Sequence, residues 1–170
     1  MILVCSVHHT GTQFVEQVIL YKFKNIGNST SAHIKGIPKG RNMTRVHCEL
    51  AYVRSLEWWC PQYPIIVPMR HPQKVFESWK VREKNLDHLV RQYHILKKLV
   101  APYNPYYLPI DVFERETWLE NINARFGLDI QTNWPVIMSR KQTAVLDTDE
   151  IELVQQVMAD GFFDQFGYEV

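Results

Sequence analysis

The sequence lacks the features that mark several large classes of protein. Its 170 residues include only three cysteines, and their spacing matches neither a disulfide framework nor a metal site. We therefore expect reduced thiols in a cytoplasmic protein. No apolar run reaches transmembrane length, and no basic segment leads into an apolar one as in a secretory leader. The net charge of +1 gives no general attraction to nucleic acid or membranes, so neither is an expected partner.

The amino-acid composition is that of a globular protein. Hydrophobic residues make up 46% of the chain and charged residues 22%, which suits a folded domain with a polar surface. A chain of this length can bury a substantial core, and it contains no internal repeat. We therefore expect a single domain over residues 1–170.

Short apolar runs alternate with amphipathic stretches along the chain. The runs predict strands at 1–7, 33–37, 44–48, 65–69 and 106–110. Hydrophobic residues three and four positions apart predict helices at 13–24, 49–59, 72–82, 86–100 and 117–126, and a last one from 147 or 148 to about 163. This order predicts an α/β fold whose mostly parallel sheet has helices on both faces. Ligands in such folds bind at the carboxyl ends of the strands.

The first predicted strand runs directly into a turn that suits an anion. Residues His8–Phe14 read HHTGTQF, in which Gly11 permits a tight turn and Thr10 and Thr12 supply hydroxyl groups. A turn before a helix directs backbone N–H groups and the positive end of the helix dipole at one point. The alternative is an ordinary strand-to-helix turn. Gly11 is not followed by Lys and Ser or Thr, so this is not a standard nucleoside-triphosphate loop.

Two further strand ends carry residues suited to anion binding and proton transfer. Arg70 ends a strand, and its forked guanidinium suits phosphate, with Ser78 eight residues on in the next helix. Arg45 and His47 alternate to the same side of another strand, and an imidazole can accept a proton at neutral pH. The alternatives are a surface arginine and a histidine without a chemical role.

In their order along the chain, these segments resemble the sulfotransferases that use 3′-phosphoadenosine 5′-phosphosulfate (PAPS). The 5′ loop of that family has the form Pro-Lys-Ser-Gly-Thr-Thr-Trp, and residues 8–14 occupy its place. Its 3′-phosphate motif is an arginine at a strand end with a serine eight residues later, the spacing of Arg70 and Ser78. A Lys-x-His pair upstream of that arginine corresponds to Arg45 and His47.

Two later stretches agree with this resemblance, which thus covers most of the chain. Residues 106–130 are similar to the family's late strand, acidic turn and following helix. Residues 139–170 are similar to its Arg-Lys-Gly loop, final helix and terminal Gly-Tyr. By this resemblance, Arg140 and Lys141 would bind the 3′-phosphate of the nucleotide.

The resemblance implies a three-layer nucleotide-transferase architecture and the transfer of a sulfuryl group from PAPS, without a metal, to a small-molecule or glycan acceptor. The acceptor atom would be a hydroxyl oxygen or an amine nitrogen, and the product nucleotide would be adenosine 3′,5′-bisphosphate (PAP). His47 would be the general base, with His9 and Arg45 as further catalytic groups. The implied cofactor-binding residues are His9, Thr10, Gly11, Thr12, Gln13, Phe14, Arg70, Ser78, Arg140 and Lys141.

The chain also departs from the family's pattern. The lysine of the loop is replaced by His9, the second threonine by Gln13, the asparagine after the motif arginine by His71, and the glycine after Arg-Lys by Gln142. Two other functions are alternatives. A P-loop kinase-like phosphoryl transferase would depend on magnesium. A non-catalytic relative would bind PAP or another nucleotide without turnover.

Overall fold

The computed structural model describes residues 2–11, 15, 43–82, 85–111, 115–127 and 144–168. The strands are β1 (Ile2–Ser6), β2 (Met43–His47), β3 (Ile65–Met69) and β4 (Tyr106–Pro109). The α-helices are α1 (Val53–Trp59), α2 (Pro72–Lys80), α3 (Asp87–Ile95), α4 (Arg115–Phe126) and α5 (Thr148–Met158). A 3₁₀ turn (Leu50–Tyr52) precedes α1, a π-helical turn (Leu96–Val100) and a 3₁₀ turn (Ala101–Tyr103) follow α3, and a 3₁₀ turn (Asp164–Phe166) follows α5. The helix predicted at 13–24, apart from residue 15, and the strand predicted at 33–37 lie outside the described residues.

The four described strands form one sheet in which every pairing is parallel. Their order is β2-β1-β3-β4, so the chain passes from β1 to a neighbour on one side and then to β3 on the other. The predicted α/β class with a parallel sheet is therefore confirmed. In a sheet of this order, the crevice for a ligand lies at the carboxyl ends of the strands where the chain changes direction, here next to β1.

Alternate residues of β1 pack into two separate cores. Leu3 and Cys5 belong to the larger core, which is covered by α1, α2, α3 and α5. Ile2 and Val4 belong to the smaller core, which is covered by α4 through side chains such as Trp118. Because successive strand residues point to opposite faces, an all-apolar strand of this kind requires helices on both sides. The predicted placement of helices on both faces is confirmed.

The three cysteines are free thiols within the larger core. Cys5 lies in the inner strand β1, Cys48 follows β2, and Cys60 follows α1, and each is at most 2% exposed. Burial among apolar side chains raises the pKa of the Cys48 thiol well above its usual range. These thiols therefore pack as small apolar groups.

Local sequence signals mark the starts of two helices, but the end of one helix differs from its prediction. Pro72 is the first residue of α2, where its missing N–H costs nothing, and the His71 ring accepts a hydrogen bond from the Gln73 N–H. Asp147 caps α5 in a reciprocal capping box with Glu150. The prediction that this last helix reaches residue 163 was wrong. It ends at Met158 because the chain turns at 159–161, where Gly161 has a φ of 69°.

The other boundaries differ by a few residues. The helix predicted to reach residue 82 ends at Lys80, and the segment predicted as one helix over 86–100 changes to π-helical geometry in its last five residues. No helix in the described part of the chain combines the length and apolar character needed to cross a membrane.

Candidate functional site

The carboxyl ends of β2, β1 and β3 lie side by side at one edge of the sheet. Parallel neighbours end at the same edge, so the turn after β1, His47 and Arg70 are brought to one region, as the sequence predicted. The register places Ser6 opposite His47, and the Ser6 Oγ and His47 Nδ1 atoms are hydrogen-bonded at 3.2 Å.

The turn after β1 contains two residues in left-handed backbone conformations. His9 has a φ of 62° and Gly11 a φ of 93°. Glycine adopts such a φ without the steric cost that a Cβ imposes, and a Cβ at Gly11 would also run into the Ile110 side chain. The positive φ at residue 11 agrees with the prediction that glycine permits a tight turn here.

Thr10 has a different role from the predicted one. Its hydroxyl was expected to donate to an anion, but it donates to the Val7 carbonyl at 2.8 Å and the residue is only 1% exposed. A threonine in a tight turn can reach back to a carbonyl three residues earlier, and that bond satisfies the buried hydroxyl. In this conformation, Thr10 stabilises the turn and has no further proton to donate.

His9 joins the turn to helix α2. Its Nδ1 atom and the Ser78 Oγ atom are hydrogen-bonded at 3.0 Å, and its ring meets the edge of Trp79 with ring centres 5.2 Å apart. Burial, with smaller contributions from nearby positive charges that include Arg82 and Arg70, lowers the pKa of His9 to about 4. His9 is therefore neutral at pH 7 and does not replace the charge of the lysine whose place it takes.

Arg70 lies at the end of β3 as predicted, but a carboxylate accompanies it. Asp111, which follows β4 and whose side chain is 14% exposed, lies 3.5 Å from the Arg70 Nε atom and 3.7 Å from the Lys74 Nζ atom. It also accepts a hydrogen bond from the His71 backbone N–H at 2.8 Å. Two side-chain cations and one N–H group thus converge on a single anion, which is the set of donors that a phosphate would use.

His8 and His47 form a stacked pair of imidazoles beside the turn. Their ring centres are 4.0 Å apart and the planes differ by 9°. The His8 Nε2 atom is hydrogen-bonded to the Glu49 carboxylate, and the Trp79 ring meets the His8 ring edge-on at 4.9 Å. Burial, with smaller contributions from His8 and Arg45, lowers the pKa of His47 to about 4. His47 is therefore neutral at pH 7, with a lone pair available.

A buried glutamine of α3 supports this pair from inside the protein. Gln92 is 1% exposed, and its Oε1 atom accepts a hydrogen bond from the His8 backbone N–H at 2.8 Å. Its Nε2 atom has no hydrogen-bond partner among the residues that the structure describes. Beyond it, His88 of the same helix stacks on Trp79 with ring centres 5.8 Å apart.

Sequence patterns assigned no specific chemical role to His8, within the predicted turn, or to Trp79, and they did not indicate Glu49, Gln92 or Asp111 as part of the site. Glu49 could have been found because it comes two residues after His47, just past the end of a strand. Asp111 could have been found because it follows the end of β4, the next strand of the same sheet.

The remaining predicted residues divide into two groups. Arg45 lies on β2, where it is half-buried and close enough to His47 for its charge to influence that ring. Thr12, Gln13, Phe14, Arg140 and Lys141 lie outside the described residues. Within the described ranges, no group of three or more His, Cys, Asp and Glu side chains is arranged to hold a metal ion.

Comparison of the chain with family models, with curated proteins and with solved structures finds no match. Function is therefore inferred from the order of the motifs in the sequence and from the contacts at the carboxyl edge of the sheet.

Proposed function

We propose that this protein transfers a sulfuryl group from PAPS to the hydroxyl or amine of a small-molecule or glycan acceptor. The main support is the contact between His9, in the turn after β1, and Ser78, in α2, whose atoms lie 3.0 Å apart. It joins the segment that resembles the family's 5′ loop to the segment that resembles its 3′-phosphate motif. Both segments could therefore bind one nucleotide at the same time.

The residues around this contact fit an anionic group. Gly11 keeps the turn compact where a side chain would strain it. Arg70 stands at the neighbouring strand end, and Lys74 of α2 lies beside the same Asp111 carboxylate. Arg70 would bind the 3′-phosphate, and Asp111 would have to share that guanidinium with it or release it. When bound, PAPS supplies the sulfuryl group and a phosphate as the leaving group.

The charge that stabilises the leaving phosphate would come from the arginines around the turn. A neutral His9 can donate or accept a hydrogen bond but contributes no positive charge. Arg70 and Arg82 are the cations whose fields act on His9, so they also act on an anion bound beside it. A bound phosphate would in turn favour protonation of His9.

The acceptor's proton would pass to the imidazole pair. The sequence assigned this role to His47, which has a free lone pair at pH 7. A base with a pKa of about 4 is nevertheless inefficient at neutral pH, because efficiency is greatest when the pKa lies near the working pH. Both stacked rings, His8 and His47, are therefore candidates for this role.

One observation favours a second candidate, a non-catalytic protein that binds PAP. The neutral His9 stands where the family has a lysine whose charge bridges the leaving group and the sulfuryl oxygens. Such a protein would bind PAP tightly and show no turnover of PAPS with any acceptor.

Thermal stability with PAP, with ADP and with ATP plus magnesium tests the nucleotide site. A ligand at about one hundred times its dissociation constant stabilises a fold by roughly 2.7 kcal/mol, or roughly 5–10 °C in a chain of this size. We expect a shift with PAP, a much smaller one with ADP, and loss of the PAP shift in Arg70→Ala. Arg54→Ala, which changes an exposed arginine of α1, is the matched control and should keep it.

The other outcomes decide between the alternatives. A shift only with magnesium–ATP would favour phosphoryl transfer, and no shift with any nucleotide would refute the site. If PAP binds, turnover of PAPS labelled in its sulfate, measured over a panel of hydroxyl and amine acceptors, separates the transferase from the non-catalytic protein.

A further inference from the structure

The hydrogen bond between His8 and Glu49 has a defined direction. A carboxylate only accepts hydrogen bonds, so the proton of this bond is on the His8 Nε2 atom. In the neutral ring the lone pair is then on Nδ1, which has no hydrogen-bond partner among the described residues. A fixed tautomer with one nitrogen held by a carboxylate and the other open is the arrangement of an imidazole general base.

We propose that His8, oriented by Glu49, is the group that accepts the acceptor's proton, and that His47 supports it by stacking. This inference rests on the proposed function, because it names the base of that reaction. His8 follows the inner strand β1 and its side chain is 27% exposed, so an acceptor can approach it from solvent. Glu49 is then a positioning residue that sets the tautomer and stabilises the imidazolium that forms.

The charged and polar groups around the two rings differ, and the difference favours His8 as the proton acceptor. The His47 ring is hydrogen-bonded to Ser6 and is influenced by the cation Arg45 and, less strongly, by the Glu49 carboxylate. The His8 ring is hydrogen-bonded directly to that carboxylate. Stacked rings with centres 4.0 Å apart do not readily both become cations, because like charges at that distance repel each other. The proton should therefore go to the ring that carries the carboxylate partner.

The backbone and neighbouring rings hold His8 in place. Its N–H donates to the buried Gln92, and the Trp79 edge packs against its ring. Both partners belong to helices of the larger core, so the ring is positioned by two packed elements. Such support is what precise proton transfer requires.

The proposed transfer moves a proton to His8 and a sulfuryl group to the acceptor. The acceptor's proton enters the lone pair of His8 Nδ1, while Nε2–H stays hydrogen-bonded to Glu49. The acceptor's electron pair forms the new bond to sulfur, and the bond from sulfur to the phosphate oxygen breaks with its electrons leaving on that oxygen. His8 then returns its proton to solvent.

Nitrogen-15 NMR of the histidine rings at neutral pH tests the positioning half of the proposal without any turnover. We expect His8 to be the Nε2–H tautomer in the unaltered chain and a mixture of tautomers in Glu49→Gln, which keeps the shape of the side chain and removes its charge. Glu57→Gln, an exposed position of α1, is the matched control and should leave the His8 signals unchanged. An Nδ1–H tautomer of His8 in the unaltered chain would overturn the proposal.

Kinetics with PAPS and one fixed acceptor test the catalytic half. His8→Asn should lower kcat by on the order of a hundredfold or more, the usual contribution of a general base. Glu49→Gln should lower it by on the order of tenfold or more, because it removes the charge that orients His8 and stabilises the imidazolium, without changing the KM for PAPS. His47→Asn should lower kcat less than His8→Asn does, and His94→Asn, at an exposed position of α3, should have no effect.

The outcomes separate this proposal from the proposed function. If PAPS is turned over and His47→Asn costs more than His8→Asn, the base is His47 and the proposal is overturned, while the transferase function stands. If PAP binds without turnover of PAPS, the transfer function and the base role both fail. If PAP does not bind, the nucleotide site fails as well, and the NMR result still decides whether Glu49 sets the tautomer of His8.

Discussion

Two histidines that are neutral in the folded protein should make its stability sensitive to mild acid. The pKa values of His9 and His47 are about 4 in the folded protein and 6.5 as the ordinary value, because burial disfavours the charged ring. Between these two pH values, the unfolded chain binds protons that the folded chain does not. The stability that these two neutral rings contribute is therefore complete above pH 6.5 and is lost as the pH falls towards 4.

The size of the effect follows from the shifts. Each shift corresponds to about 3 kcal/mol, at about 1.4 kcal/mol for each pKa unit, and roughly half of that remains once the partial exposure of both rings is considered. Between pH 7 and pH 5 we expect a loss of roughly 1 kcal/mol from each histidine. The sum should be somewhat lower if the two rings influence each other through His8.

Urea unfolding followed by tryptophan fluorescence at pH 7, 6 and 5 measures this loss. The double variant His9→Asn/His47→Asn should lose less stability than the unaltered chain over this range, because it lacks both titrating rings. Asparagine suits position 9 because it tolerates the left-handed backbone there. His94→Asn, at an exposed position, should keep the full pH dependence. Equal slopes for the unaltered chain and the double variant would refute the reasoning.

Three further substitutions have defined expectations. Asp111→Asn removes the negative charge beside Arg70, so PAP should bind about fivefold more tightly by calorimetric titration, a change of about 1 kcal/mol; weaker binding would show that Asp111 orients the arginine. Gly11→Ala forces a side chain into a φ of 93°, so the free energy of unfolding should fall by about 1–2 kcal/mol; an unchanged value would mean that the turn rearranges. Asp147→Ala removes the capping box with Glu150 and should cost about 1 kcal/mol in urea unfolding; no change would show that the cap contributes nothing.

The secondary structure was predictable where one local signal determines it. The apolar run IIVPM, which follows Pro64, predicted β3 at its observed residues, and Pro72 marked the first residue of α2. Asp147 was one of two candidate caps, and the capping box shows that it is the one used. These signals act over a few residues, so the sequence alone carries them.

The site was predictable only as far as it depends on strand ends. The sequence indicated that His47, Arg70 and the turn after β1 meet at one edge, since parallel strands require it. The pairing of His8 with Glu49 depends on β1 lying next to β2, and the pairing of Arg70 with Asp111 on β3 lying next to β4. Neighbour relations of this kind arise from the order of strands in the sheet, which no local pattern specifies.

Because all three cysteines are buried, the reactivity of their thiols can report local opening of the fold. A thiol reagent reacts with the thiolate, so Cys5, Cys48 and Cys60 should be modified only when the segment that covers each one separates from the core. They lie in an inner strand, after an edge strand of the described sheet and directly after α1. The order in which they become labelled under native conditions would therefore rank the opening free energies of three parts of the fold, without a single substitution.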